Sequence, residues 1–225
     1  MLKSIADEFD RWAAVGRAEE MALGHQSVTF KMLNTVRFEN AMNVCDIGCG
    51  NGWAVREMLK RGAGYGLGID ISPKMIDIAN STASSSEEYL TCSASKIPRA
   101  DNSLDFILSV ESLYYHPNPL ATLKECFRVL KTNSSMFLMV DLYTENVATH
   151  AWIDALSLSV HLLSIAEYCD LFKQAGFNHV EHEQMTSEAP IKLKSEFTQS
   201  AYWPSYDDYI EYRKTGSLVV RAQKT

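Results

Sequence analysis

Two periodicities of hydrophobic and polar residues alternate along the chain. Short apolar runs, which are typical of buried strands, cover 42–47, 66–71, 89–92, 104–109 and 136–141. Segments with apolar residues at helical spacing lie between them and cover 53–60, 73–80 and 120–130. Because each crossover between parallel strands needs a returning helix, this alternation predicts a mostly parallel sheet with helices on both faces.

The C-terminal part of the chain adds one helix and two strands to this pattern. Ser164 and Gly176 bracket a predicted helix over 165–175, and strands are predicted at about 177–183 and at 217–222. We therefore expect seven strands in a doubly wound, Rossmann-like α/β fold.

Two segments outside the alternating core are predicted to be helical. About forty residues precede the first strand, and residues 147–163 follow the fifth. Both are natural lid pieces. A length of 225 residues suits a single domain. We divide it into an N-terminal helical cap (1–40), a ligand-binding core (42–142) and a region with an insert and the last strands (143–225).

The charge balance argues against nucleic-acid and membrane partners. The formal net charge is -7, and no basic stripe is present that could contact phosphates. No apolar stretch is long and unbroken enough to span a bilayer. Asp7, Glu8 and Asp10 lie where a signal peptide would need an apolar run. We expect a cytoplasmic protein, and the sequence leaves its oligomeric state open.

Neither a disulfide framework nor a metal site is expected. The five cysteines include no CxxC pair, so reduced thiols are the simplest interpretation. His179, Glu181 and Glu183 could suggest metal ligands together with His182. Strand alternation, however, puts His182 on the opposite face from the other three.

A glycine-rich loop at 46–52 connects the first strand to the first core helix. Its backbone N–H groups and the helix N-terminus would face a ligand above the strand ends. The spacing is GxGxG, and Trp53 stands where a dinucleotide-binding loop has its third glycine. The loop also lacks the Lys-Ser/Thr ending of a triphosphate-binding loop. Asp70 ends the next strand, where a carboxylate can accept both hydroxyls of a ribose.

Four motifs extend this pattern to a known enzyme family. They are VCDIGCGNG at 44–52, GIDIS at 68–72, KIPRADNSLDFILS at 96–109 and LKECFRVLK at 123–131. With these motifs the chain resembles the class I S-adenosylmethionine-dependent methyltransferases, a group that includes quinone- and small-metabolite-methylating enzymes. The resemblance covers about residues 44–142. It implies methyl transfer from S-adenosylmethionine to a small-molecule acceptor, which leaves S-adenosylhomocysteine.

The resemblance also implies roles for the residues of the first two motifs. Asp46 would orient the methionine ammonium of the cofactor, directly or through water. Gly48 and Gly50 would admit its methionine and ribose portion. Asp70 would hold the ribose.

Further cofactor contacts follow from the same resemblance. Ile71 and Met75 would enclose the adenine by apolar contact, and the backbone of Ala94 would meet the adenine edge. Ser93 stands where the family often has an Asp, so a hydroxyl replaces the usual acceptor for the adenine amino group. Ser109 would lie under the methionine moiety.

The acceptor side is less closely defined. Methyl transfer needs alignment and, for some acceptors, a base. Glu111 and His116 follow the fourth strand and are the candidate bases, although each could instead be a packed turn residue. The aromatic candidates for the acceptor pocket are Trp12, Tyr114, Tyr143 and Trp152. Aromatic residues clustered in this way serve more often in core or lid packing than in recognition of a ligand.

Two alternatives to an active methyltransferase remain open. The first is a protein that binds S-adenosylmethionine or S-adenosylhomocysteine without catalysis, as a sensor or scaffold. The second is a nucleotide-dependent oxidoreductase, which the position of Trp53 disfavours.

Overall fold

The structure, a computed structural model, describes residues 2–225 apart from the side chain of Lys3, so residue 1 of the predicted cap lies outside it. The α-helices are α1 (Leu2–Ala14), α2 (Arg17–Leu33), α3 (Trp53–Lys60), α4 (Pro73–Ser81), α5 (Pro119–Val129), α6 (Ala151–Ala155), α7 (Ile165–Ala175) and α8 (Tyr206–Thr215). The strands are β1 (Asn43–Ile47), β2 (Tyr65–Asp70), β3 (Glu87–Thr91), β4 (Leu104–Val110), β5 (Leu130–Val140), β6 (Asn178–Met185) and β7 (Ser217–Lys224). None of these described helices is long and apolar enough to cross a bilayer.

A seven-stranded sheet in the order β3-β2-β1-β4-β5-β7-β6 forms the centre of the fold. The neighbours from β3 to β5 pair in parallel, whereas β7 pairs antiparallel with both β5 and β6. The prediction of a mostly parallel seven-stranded sheet is confirmed. Because the carboxyl ends of β1, β2, β4 and β5 share one edge, the residues that follow these strands come together there.

Alternate residues of β1 face opposite layers of helices. Val44 packs in a cluster with Met32 of α2 and Met58 of α3. Cys45 belongs instead to a cluster with Leu123 of α5. All five side chains are fully buried. The predicted coverage of both faces is therefore confirmed, and the period of two in a strand explains it.

Local capping fixes the start of α4 and both ends of α7. The hydroxyl of Ser72 accepts a hydrogen bond from the N–H of Met75 at 3.1 Å. Ser164 and Glu167 form a reciprocal capping box at the start of α7, and Gly176 ends that helix in the left-handed conformation. These caps agree with the predicted boundaries.

The cap, formed by α1 and α2, docks on the first turn of α4. The carboxylate of Asp10 accepts hydrogen bonds from the Ser72 hydroxyl (2.5 Å) and the Lys74 N–H (3.1 Å). Trp12 is buried in the same cluster as Met75. The predicted N-terminal helical cap is therefore present and joined to the edge of the core.

The prediction of helix over 147–163 is largely wrong. Only the 3-10 turn Val147–Thr149 and the short helix α6 are helical there, and residues 156–163 have no regular secondary structure. The apolar residues of this remainder pack on the core, namely Leu156, Leu158, Val160, Leu162 and Leu163. Tertiary packing of these residues overrides the local helical preference.

Candidate active site

A cavity of about 690 Å³ opens at the carboxyl edge of the sheet, between the strand ends and the cap. Its volume is in the range of small-molecule and cofactor sites. The predicted site residues that line it are Trp12, Gly48, Gly50, Asp70, Ile71, Met75, Ser93, Ala94, Glu111, Tyr114, His116 and Trp152. The structure thus brings both the cofactor and the acceptor candidates to one place.

The glycine loop is held against β2 and opens toward the cavity. The N–H groups of Gly48 and Cys49 donate to the Ile69 carbonyl at 2.8 and 3.0 Å. Gly48 has φ 72°, and a Cβ atom there would lie 2.0 Å from the Ser112 hydroxyl. Gly50 has φ 51°, but no heavy atom lies within 4 Å of its Cβ position. Gly48 is therefore required for packing, whereas Gly50 leaves space for a ligand.

Asp70 joins the loop to the end of β2. One carboxylate oxygen accepts from the Gly50 N–H at 3.0 Å and the other from the Ser72 N–H at 2.8 Å. Burial raises the pKa of this carboxyl, although these backbone donors oppose the shift. A carboxylate oxygen has two lone pairs, so each can still accept a further donor from the cavity.

An apolar slot lies beside Asp70. Ile71 and Met75 line it, and Met75 is only 1% exposed because it also packs on the cap. Ser93 and Ala94 line the same part of the cavity, and the Ser93 hydroxyl lies 2.9 Å from that of Ser95. This combination of apolar walls and a polar edge fits a purine ring.

Asp46 and Ser109 lie beneath the loop and do not line the cavity. Asp46 is 2% exposed and its Oδ1 has no hydrogen-bond partner among the described residues. Burial, together with the charge of Asp70, raises the pKa of Asp46 well above its usual range. The Ser109 hydroxyl donates to the Ile47 carbonyl at 3.4 Å. The proposed contacts of these two residues with the methionine moiety stay predictions.

Tyr143 is not where the sequence analysis expected it. Its side chain is fully buried behind the cavity wall, and its hydroxyl donates to the Gly216 carbonyl at 3.0 Å. The same hydroxyl accepts from the Gln184 amide at 2.8 Å. These partners belong to β6 and to the residue before β7, so Tyr143 supports the C-terminal strands and does not line the cavity.

The two candidate bases have very different surroundings. Glu111 has φ 51° and accepts hydrogen bonds from the Tyr114 hydroxyl (2.7 Å) and from the Asp141 N–H. Burial and the charge of Asp141 raise the pKa of Glu111 to about 7. The ring nitrogens of His116 lie 3.0 Å from the Ser112 hydroxyl and 2.9 Å from that of Thr122.

Burial lowers the pKa of His116 to about 4. At neutral pH this imidazole is uncharged, and both nitrogens already have hydroxyl partners. A side chain in that state is a weak proton acceptor. The geometry therefore favours Glu111 over His116 as the base.

Glu111 belongs to a partly buried group that the sequence analysis missed, which we call the acid cluster: His25, Glu111 and Asp141. One potential ligand atom from each of the three lies within 4.8 Å of the others. The Nδ1 of His25 is 3.4 Å from Asp141, and the Tyr212 hydroxyl donates to the same carboxylate at 2.8 Å. Asp141 is fully buried, and its Oδ1 lacks a partner among the described residues.

The charges within the acid cluster influence one another. Burial opposes ionisation of Asp141, but the hydrogen-bonding imidazole of His25 lowers its pKa below the usual value. Burial acts against the charge on His25 as well, yet Asp141 and Glu111 raise its pKa. An Asp141–His25 ion pair beside a partly protonated Glu111 is the arrangement that follows. Asp141 could have been suspected from the sequence, because it directly follows β5 at the same edge of the sheet as Asp70.

Aromatic side chains from the cap and the C-terminal half of the chain form part of the cavity wall. Arg17 lies 4.2 Å from the centre of the Trp12 ring and 5.3 Å from that of Tyr202. The indole N–H of Trp152 donates to the Tyr202 carbonyl at 2.9 Å, and its ring lies 5.2 Å from that of Trp203. The predicted aromatic candidates other than Tyr143 therefore face the cavity.

Comparison with known proteins supports a common fold and chemistry. A family model described as a methyltransferase domain matches residues 45–138. Cycloartenol-C-24-methyltransferase 1 of Oryza sativa subsp. japonica is 27% identical over 163 residues, 67% of this chain and 47% of that protein. A ubiquinone biosynthesis O-methyltransferase of Neisseria meningitidis serogroup C is 26% identical over 155 residues, 67% of this chain and 59% of that protein. The chain thus spans about half the length of the curated relatives it matches.

A solved structure is similar over nearly the whole chain. It is the complex between the Haloferax volcanii Trm112 methyltransferase activator and a methyltransferase, with 32% identity and a TM-score of 0.88. The match covers 96% of this chain and 97% of that one.

Proposed function

This chain belongs to the S-adenosylmethionine-dependent methyltransferases, and on that premise we propose that it transfers a methyl group from the cofactor to a small-molecule acceptor. The observation that carries the proposal is the cavity itself, where the open side of Gly50 and the carboxylate of Asp70 face the same space. The acidic balance of the chain favours a small acceptor over a nucleic acid, which would need phosphate contacts.

The residues present fit the cofactor. Asp70 has free lone pairs for the ribose hydroxyls, while Ile71 and Met75 provide apolar contact for adenine. Ala94 lies at the edge of that slot. When bound, S-adenosylmethionine supplies a methyl group on a positively charged sulfur that needs no further activation.

The protein then has to align the acceptor with the methyl group and to take a proton from the acceptor. Trp12, Tyr114 and Trp152 line the space that an acceptor would fill. Glu111 is our candidate base, since it faces the cavity and its pKa lies near neutrality. His116 serves in this proposal to hold Ser112 and Thr122 in place.

Calorimetry with S-adenosylhomocysteine and, separately, with NAD tests the cofactor assignment. We expect binding of S-adenosylhomocysteine and none of NAD, because the loop and Asp70 suit a single adenosine better than a dinucleotide. Tight NAD binding without S-adenosylhomocysteine binding would contradict the cofactor assignment and support the oxidoreductase alternative. Transfer of label from methyl-labelled cofactor to an acceptor then separates an enzyme from a sensor, which would bind the cofactor without forming product.

We also propose that the protein works with an activator subunit. The support is the similarity over nearly the full chain to the methyltransferase that was solved with the Trm112 activator. Co-expression with the Haloferax volcanii Trm112 activator should give a stable complex in size-exclusion chromatography with light scattering. Two separate peaks at micromolar concentration would contradict this second proposal and leave the first untouched.

A further inference from the structure

Glu111 is a partly buried carboxylate at the cavity wall without a Lys or Arg partner. No Lys or Arg nitrogen among residues 2–225, the Lys3 side chain aside, lies within 4.0 Å of it. Asp141, the second carboxylate of the acid cluster, is paired with His25 and with the Tyr212 hydroxyl. Charges removed from water are normally paired. With two carboxylates and one imidazole, the cluster lacks one positive charge, which a ligand at the cavity wall could supply.

A second observation concerns which carboxylate a ligand in the cavity can reach. Glu111 lines the cavity, whereas Asp141 is fully buried and is not part of the lining. The Glu111 oxygens accept one donor each, from the Asp141 N–H and the Tyr114 hydroxyl, and each keeps a lone pair for a further donor. A ligand that brings more than one N–H donor would satisfy both oxygens better than a ligand with a single hydroxyl.

The rest of the cavity is suited to an organic cation. Several aromatic rings line it close to the acid cluster, namely Tyr114, Tyr115, Trp152, Tyr202, Trp203 and Tyr212. The faces of such rings attract ammonium groups and also bury apolar carbon. Tyr114 connects the two features, because its ring lines the cavity and its hydroxyl donates to Glu111.

A metal ion fits the acid cluster less well than an ammonium group. Three of the four carboxylate oxygens already accept N–H or O–H donors from the Asp141 backbone, Tyr114 and Tyr212. His25 lies with Nδ1 toward Asp141, where a protonated imidazole is favoured, and a metal needs its neutral form. An ammonium group with donors reaching about 2.8 Å can bridge ligand atoms that are within 4.8 Å of one another.

We propose that the acceptor is a primary or secondary amine on a largely apolar body, which enters as its ammonium ion and is bound by Glu111. This inference rests on the proposed methyl transfer and narrows its substrate class. Glu111 takes one N–H proton, which frees the nitrogen lone pair. That pair forms the new N–C bond to the methyl carbon while the S–C bond breaks and its electrons stay on sulfur. The methylated amine leaves as an ammonium ion, and Glu111 returns its proton to solvent.

The test is calorimetry on protein saturated with S-adenosylhomocysteine. The probes are benzylamine and phenethylamine, each matched with the alcohol of the same carbon skeleton, at about pH 8, where the amines remain largely protonated and Glu111 is ionised. We expect the amines to bind at least about tenfold more tightly than the alcohols. Glu111→Gln should abolish this preference and leave the affinity for S-adenosylhomocysteine within about twofold. Glu111→Asp should retain part of the preference, and the exposed Glu181→Gln should retain all of it.

Each outcome decides between the alternatives. Equal binding of amines and alcohols, no binding of either, or a preference that survives Glu111→Gln would overturn the amine proposal. If S-adenosylhomocysteine still binds in those samples, the proposed function stands. A failure of the wild-type protein to bind S-adenosylhomocysteine would contradict both the amine proposal and the proposed function. Stoichiometric metal in the purified protein, measured by plasma mass spectrometry and lost in Glu111→Gln, would assign the cluster to a metal instead.

Discussion

Asp70 holds two backbone N–H groups in place even without a ligand, so its substitution affects more than the cofactor. Asp70→Ala leaves the donors of Gly50 and Ser72 without an acceptor. We expect it to lower the free energy of unfolding by about 1–2 kcal/mol. It should also weaken S-adenosylhomocysteine binding by about 1.5–3 kcal/mol, or ten- to a hundredfold. Calorimetry and urea denaturation measure the two effects.

Asp70→Asn is the matched control, because the amide oxygen keeps one acceptor and loses the charge. Its stability should lie closer to the wild type than that of Asp70→Ala, while its affinity for S-adenosylhomocysteine is still reduced. An unchanged affinity in both variants would show that Asp70 only supports the loop.

Glu111 should give the methylation rate a pH dependence near neutrality. Its carboxylate accepts a proton only when ionised, and burial beside Asp141 raises its pKa to about 7. We therefore expect the rate of the chemical step to rise with pH through about 7, and this rise should be absent in Glu111→Gln. Single-turnover kinetics with labelled cofactor measure it. The same rise in the Gln variant would assign the titration to another group.

The raised pKa of Glu111 also makes the stability of the folded protein depend on pH. The folded protein binds the Glu111 proton more tightly than the unfolded chain does, whose pKa is near 4.5. Stability is therefore lost as the pH rises from about 4.5 to about 7 and does not return above it. We expect the free energy of unfolding of Glu111→Gln, relative to that of the wild type, to increase by about 1–3 kcal/mol when the pH is raised from 5 to 8. Urea denaturation at the two pH values checks this difference, and a constant offset would contradict it.

The sequence could predict that residues at the ends of neighbouring parallel strands lie close together. Gly50 follows β1 and Asp70 ends β2, so the parallel sheet brings these two residues together. The contact between His25 and Asp141 joins a helix of the cap to the end of β5. No local pattern distinguishes His25 from the other histidines, and only the docking of the cap creates that contact.

At the scale of elements, the joint between α1 and α4 should matter for cofactor binding. Asp10 accepts from the Ser72 hydroxyl and the Lys74 N–H at the start of α4, next to Met75 in the cavity wall. We expect Asp10→Ala to destabilise the protein by about 1 kcal/mol, as loss of a helix cap does. It should also weaken S-adenosylhomocysteine binding severalfold. Thermal denaturation and calorimetry test this, with the exposed Asp7→Ala of the same helix as a control that should change neither.

Helix ends with their own capping residues were predictable, but the segment after β5 was not. The ends of α7 are set by Ser164 and Gly176. Residues 156–162 are not helical because their apolar side chains pack on the core, and these contacts exist only in the folded molecule. Where tertiary packing and local helical preference disagreed, packing decided the conformation.

At the scale of the whole molecule, Arg17 connects the cap to the C-terminal region. It stacks on Trp12, and it donates to the Tyr202 hydroxyl at 3.1 Å. Because both partners line the cavity, we expect S-adenosylhomocysteine to slow amide hydrogen exchange in α1 and α2. Arg17→Ala should increase exchange in the free protein. Exchange in the centre of β5 serves as the reference, and a ligand effect confined to the glycine loop would contradict this role for the cap.

The sheet type was predictable from the alternation of strands and helices, whereas the order of its last strands was not. Either of the last two strands can pair with β5, which gives the order β5-β6-β7 or β5-β7-β6. The local hydrophobic pattern of each strand is the same in both arrangements. Tyr143 illustrates the consequence, since its partners Gly216 and Gln184 become neighbours only through the actual order. Its position after β5 suggested the cavity, and the antiparallel strands place it in the core.

The position of β7 between β5 and β6 bears on how the chain folds. In β5, Val140 pairs with Leu218, and the residues between them include the whole of α7 and β6. Bringing such distant segments together loses much chain entropy before any contact compensates, so this pairing belongs to a slow, late step. Until then β5 has an open edge and β6 has no strand to pair with, and both can join other chains. The kinetic competition between folding and aggregation therefore depends on how fast β7 pairs, a step in which the glycine loop takes no part.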